Sequence, residues 1–143
     1  MKLFGCRIDT RAVMLGAVAA VLISVPVAAL MDALIDDAES WWNVIAVAAV
    51  GLGYIVGGYL AGYRQPRTPA IHGALAAGVA VVVLVVVRII TRTVDDEPVG
   101  WATVALSVLL ATWLGMGGGV LGSRRSAVGR GDDLGRPLHR DAP

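Results

Sequence analysis

The chain has 143 residues, 57% of them hydrophobic, with a mean hydropathy of +0.73 and a formal net charge of +1. A water-soluble domain of that balance has too little polar surface to cover itself, and a charge so near zero offers no bulk attraction to nucleic acid. Cys6 is the only cysteine, which excludes an internal disulfide and a cysteine metal cluster.

The first 11 residues form a short basic segment with Lys2, Arg7 and Arg11. Leu3-Phe4-Gly5-Cys6 resembles a lipoprotein cleavage box, but no apolar segment precedes it. The first apolar span follows at about 12–34. Its unbroken stretch, Ala12–Met31, contains Pro26, which should bend it. A signal peptide ending at Val27-Ala28-Ala29 is the competing reading. It is disfavoured because the apolar run exceeds the roughly 7–15 residues of a signal core. An acidic loop with Asp36, Asp37 and Glu39 leads to Trp41 and a second span over about 42–63. Arg64, Pro66, Arg67 and Pro69 connect it to a third span over about 70–90. Asp95, Asp96 and Glu97 precede a fourth over about 101–122. Each span has the roughly 20 apolar residues that a helix needs to cross a bilayer. Residues 123–143 mix Gly, Arg, Asp and Pro and are expected to form a disordered tail.

Basic residues divide unevenly between the two sides. Ten fall in the N-terminal segment, the second connection and the tail, against two, Arg88 and Arg92, on the other side. Basic loops stay cytoplasmic, so both termini are expected inside, with the inner (plasma) membrane as the location. Asp32, Asp36, Asp37, Glu39, Asp95, Asp96 and Glu97 then mark the outer side, where Trp41, Trp42 and Trp101 sit at the interface.

The two halves resemble each other. Gly57-Gly58-Tyr59-Leu60-Ala61-Gly62-Tyr63-Arg64 aligns with Gly117-Gly118-Gly119-Val120-Leu121-Gly122-Ser123-Arg124 at an offset of 60, with four of eight positions identical. Trp41 meets Trp101 and Asp36 meets Asp96 at the same offset, and Gly16–Ala20 resembles Gly73–Ala77. This reads as a tandem duplication of a two-helix hairpin, both copies inserted the same way up. Gly53/Gly57, Gly58/Gly62, Gly115/Gly119 and Gly118/Gly122 are each four apart, so each pair shares a helix face where another backbone can approach. Packing within one bundle is the expected use, and a homo-oligomer interface the alternative.

Arg88 is the most unusual charge, lying inside an apolar run near its outer end. It is expected to snorkel to the interface or to pair with Asp32, at comparable depth in the first span. His72 opens the third span and reads as an interface residue, with no carboxylate near it in sequence. Ser24, Asn43 and Thr112 have no evident base or metal partner, so no intramembrane hydrolase is indicated. The Gly115–Gly119 stretch lacks the Lys-Ser/Thr of a phosphate loop.

Gly57-Gly58-Tyr59-Leu60-Ala61-Gly62, a short Arg/Pro connection and then His72-Gly73-Ala74 resemble small uncharacterised bacterial four-span membrane proteins. These families end the second span in Gly-Gly-x-x-Ala-Gly and start the third with His-Gly-Ala. The resemblance implies the architecture and no activity. The expectation is an all-α membrane protein, a four-transmembrane-helix bundle over 12–122. It would be a structural or accessory component without enzymatic activity or cofactor, in contact with the lipid bilayer and with a homo-oligomeric or membrane-protein partner. A small transporter or channel acting as a homo-oligomer is the alternative. Two contrasts weigh against it. The first span has no acid before Asp32, unlike small multidrug transporters. The charge bias is stronger than in dual-topology fluoride channels.

Overall fold

The computed structural model describes residues 2–3, 6–34, 41–94, 96 and 98–134, with side chains for 8–30, 41–42, 44–94, 96 and 98–126. Four helices make up the fold: α1 (Thr10–Leu34), α2 (Trp42–Arg64), α3 (Pro69–Val94) and α4 (Trp101–Leu134). Each is long and apolar enough to cross a membrane, as expected from the sequence. Ahead of them, Lys2–Leu3 and Cys6–Arg7 form a minimal antiparallel ladder.

Local chemistry explains the helix boundaries. α1 starts behind Asp9, whose Oδ1 accepts the N–H groups of Arg11 at 3.0 Å and Ala12 at 3.4 Å, the pattern of an N-cap. α2 stops at Gln65, whose N–H reaches the carbonyl of Ala61, because Pro66 cannot continue the ladder. α3 begins with Pro69 in its first position, where a missing N–H costs nothing, and Thr68 accepts the His72 N–H at 3.2 Å.

Two helices run further than expected. α3 continues past residue 90 to Val94, because no proline intervenes before Pro98. Thr91 and Thr93 return their hydroxyl protons to the carbonyls of Arg88 and Ile89. α4 continues past residue 122 to Leu134, so residues 123–134 are helical rather than a disordered tail. That segment has good helix formers in Arg124, Arg125 and Ala127 and no proline. The rest of the expected tail, 135–143, lies outside the described residues.

α1 packs on α2 and α3, α4 packs on the same two, and α2 meets α3 across the short diagonal. Among the described residues α1 and α4 do not meet. The interior is built from small side chains: Ala17, Ala20, Ala61, Ala76, Ala77, Ala80 and Ala111 are buried. Large apolar side chains such as Leu22, Val44 and Leu121 point outward. A soluble domain does the reverse. Hydrocarbon solvates leucine as well as a protein core does, so helix association rests on close contact between small residues.

Candidate functional site

Among the described residues two polar side chains are fully buried, Ser24 and His72. His72 is the centre of a cluster at the arginine-rich end of the bundle. The Asp9 main-chain N–H donates to His72 Nε2 at 3.0 Å. A main-chain N–H can only donate, so Nε2 accepts and the ring proton lies on Nδ1. Nδ1 faces the Thr68 carbonyl oxygen at 2.9 Å and Thr68 Oγ1 at 3.0 Å. Asp9 Oδ2 in turn accepts from Gln65 Nε2 at 3.1 Å. The Gln65 amide holds the Asp9 carboxyl below its ordinary value. Partial desolvation opposes this, while the N–H groups of Ala12 and Arg11 and the nearby His72 add to it.

The cluster ties the start of α1, the end of α2 and the start of α3 to one another. His72 therefore does not face the surroundings of the bundle. It is an interior side chain, and a carboxylate does stand beside it, brought there from 63 positions away. One sequence signal pointed this way: Asp9 is the lone acid of the basic N-terminal segment, in N-cap position before an apolar run.

Ser24 has a comparable role deeper in the bundle. Its Oγ donates to the carbonyl of Val50 at 3.2 Å, tying α1 to α2. Gly53 makes the room, since a Cβ there would strike Ser24 Oγ. Thr112 bonds within its own helix, to the Val108 carbonyl at 2.8 Å. The side chain of Asn43 lies outside the described residues.

The glycine pairs meet helix neighbours at backbone distance. A Cβ on Gly58 would strike the carbonyl of Gly115, and one on Gly62 that of Gly119. In the opposite direction, Gly118 faces the carbonyl of Ile55 and Gly122 that of Tyr59. These α2–α4 contacts are reciprocal: moving each residue by 60 positions into the other half converts one set into the other. Within the hairpins the contacts leave that register: Gly117, 60 positions after Gly57, faces open space, and the comparable neighbours belong to Gly115. Gly57 faces Gly16 O and Ala20 Cβ, while Gly115 faces Gly73 O and Ala77 Cβ. Gly53 lies against Ser24 and Ala20, and Gly119 against Pro69 and Gly73. Gly78 and Gly117, by contrast, have open space where a Cβ would go.

Arg88 is exposed and lines a small cavity of about 160 Å³ with Arg92, Pro98, Gly100, Thr103 and Val104. α3 continues six residues beyond it, about 9 Å of helix, so Arg88 lies further from the helix end than expected. The side chain of its suggested partner, Asp32, lies outside the described residues. Trp41, Trp42 and Trp101 are exposed at the same end of the bundle, Trp41 and Trp42 with ring centroids 4.7 Å apart. Among the described residues no group of three His, Cys, Asp or Glu side chains could hold a metal ion.

Residues 9–122 match a family model described as Protein of unknown function (DUF3792). The match runs from the cap of α1 to the last of the packing glycines. No curated protein and no solved structure matches the chain.

Proposed function

We propose that this chain, which belongs to the DUF3792 family, is a non-enzymatic structural or accessory component of the membrane. One observation carries this reading. Among the described residues, both fully buried polar side chains commit their polar atoms to neighbouring segments of the bundle: Ser24 to Val50, and His72 to Asp9 and Thr68. The interior polarity is spent on holding helices together.

The chain would lie in the inner (plasma) membrane, crossing it four times with both termini cytoplasmic. The ten-to-two division of basic residues supports that orientation. The exposed tryptophans at the opposite end suit an outer interface. A duplicated hairpin would account for the halves, and the reciprocal α2–α4 glycine contacts support this. The packing glycines are used between helices of one chain. A second copy or a partner protein would therefore meet the bulky outward faces.

Reconstituted into proteoliposomes, the purified chain should leave ion and solute leakage at the level of protein-free vesicles. A protein-dependent, saturable flux would overturn this reading in favour of a small homo-oligomeric transporter or channel.

A further inference from the structure

We propose that the groove between the start of α1 and the α2–α3 connection binds the phosphodiester headgroup of an anionic phospholipid. The groove encloses about 720 Å³, and its walls include Asp9, Thr10, Arg11, Gln65, Arg67 and Thr68. It lies where two spans begin, at Thr10 and Pro69, and one ends, at Arg64. In a bilayer that is the headgroup layer.

Charge selects the ligand. Arg11 and Arg67 are exposed at the groove. The Asp9 carboxylate also faces it, but its oxygens already accept from Arg11 N–H, Ala12 N–H and Gln65 Nε2. Among the described groove residues, two guanidiniums against one carboxylate leave a single net positive charge, the complement of one phosphodiester. A zwitterionic headgroup would bring an ammonium to a site whose acid is already occupied. Guanidiniums are suited to phosphate oxygens, which their paired N–H donors can grip two at a time.

The buried histidine prepares a further donor. Because the Asp9 N–H fixes the proton on His72 Nδ1, which faces the Thr68 carbonyl at 2.9 Å and Oγ1 at 3.0 Å, the Thr68 hydroxyl cannot donate to the ring. The Thr68 hydroxyl proton is then turned away from the ring, on a residue that lines the groove. The first turn of α3 begins at the next residue, and its dipole adds favourable potential for an anion. His72 acts here as a positioning residue, out of reach of the ligand. The proposal rests on the chain lying in a membrane with this end at an interface, and not on which side that interface faces.

The test is lipid retention by the full chain in detergent micelles, read by native mass spectrometry. Phosphatidylglycerol, phosphatidylethanolamine and phosphatidylcholine are offered at equal concentration. Phosphatidylglycerol should be retained in preference to both others. Replacing each groove arginine should cost about fivefold, so Arg11→Gln with Arg67→Gln should weaken retention roughly twenty-five-fold. Arg64→Gln, exposed at the end of α2 but outside the groove, should leave it within about twofold. Equal retention of phosphatidylcholine by the unaltered chain overturns the proposal, and needs no variant. So does an equal loss in Arg64→Gln, which would mean diffuse surface charge. Displacement of the lipid by inorganic phosphate at matching concentration would identify a free anion as the ligand and overturn the lipid assignment. A flux in proteoliposomes would remove the accessory reading and leave this preference standing.

Discussion

The main-chain N–H of Asp9 donates to Nε2 of His72 at 3.0 Å, joining the first turn of α1 to the first turn of α3. The donor belongs to the residue whose side chain caps α1, and the acceptor to the largest side chain that is fully buried. One residue pair therefore ends one helix and locates another. His72→Leu removes the acceptor and leaves the Asp9 N–H without its partner. That should cost about 1–3 kcal/mol, read as a lower Tm in detergent. Nitrogen-15 NMR of the unaltered chain should show the proton on Nδ1. A signal from the Nε2–H tautomer would remove the assignment.

Asp9 gives the cluster a pH dependence. Its carboxyl titrates below the ordinary 3.8, chiefly through the Gln65 hydrogen bond. A depressed folded-state value means stability that is complete above the unfolded value and is lost as pH falls through the folded one. The Asp9 contribution to Tm should hold down to about pH 4 and decline below it. Asp9→Asn, which can still cap α1, should flatten that acid limb, and Asp9→Ala should lower Tm at neutral pH as well. An unchanged acid limb in Asp9→Asn would assign the effect to other carboxylates.

The glycines divide sharply by position. Gly58→Leu and Gly118→Leu drive a large side chain into the carbonyls of Gly115 and Ile55 and should prevent the bundle from assembling. Even Gly58→Ala should cost about 1–3 kcal/mol. Gly117→Ala meets open space and should be neutral, or stabilising by up to about 1 kcal/mol through helix propensity. Equal Tm changes in Gly58→Ala and Gly117→Ala would show that the contacts carry no weight.

Ser24 and Gly53 should be coupled. Ser24→Ala loses one hydrogen bond between helices, worth about 0.6 kcal/mol in a membrane protein. Gly53→Ala alone should cost more, because its methyl meets Ser24 Oγ. With Ser24→Ala in the same chain, part of that penalty should disappear. A double-mutant cycle measures the difference, and strict additivity would exclude the contact.

Arg88 should tolerate replacement. Its side chain is exposed at the cavity beside Pro98, so Arg88→Leu should insert normally and change stability by less than about 1 kcal/mol. A larger loss that Asp32→Leu partly restores would reveal a pair between them.

Orientation is open to a direct test through Cys6, the only thiol. A membrane-impermeant thiol reagent should label it only after cells are opened. Labelling in intact cells would reverse the proposed topology.

The four spans and the family resemblance were legible because a bilayer imposes a coarse rule on composition and length, visible within any one segment. The helix ends were less so. Hydropathy stops at Ile90 and Gly122, while backbone hydrogen bonding continues to Val94 and Leu134. Four-residue spacing put Gly58 and Gly62 on one face, but spacing carries no information about which helix that face meets. The partner of His72 was hidden for the same reason. Asp9 is 63 positions away, and neither charge nor periodicity connects it to the histidine.

The glycine-rich face of α4 has a consequence for biosynthesis. By stripping side chains from one side, it makes α4 the least apolar of the four membrane-spanning windows. It is also the last to leave the ribosome. α1, α2 and α3 are then already present, with α2 and α3 together forming the surface that α4 covers. The segment with the weakest intrinsic claim on the lipid thus arrives when its docking site is complete. Its insertion draws on protein neighbours as well as on hydrocarbon, and the chain's last crossing depends on the first three having folded.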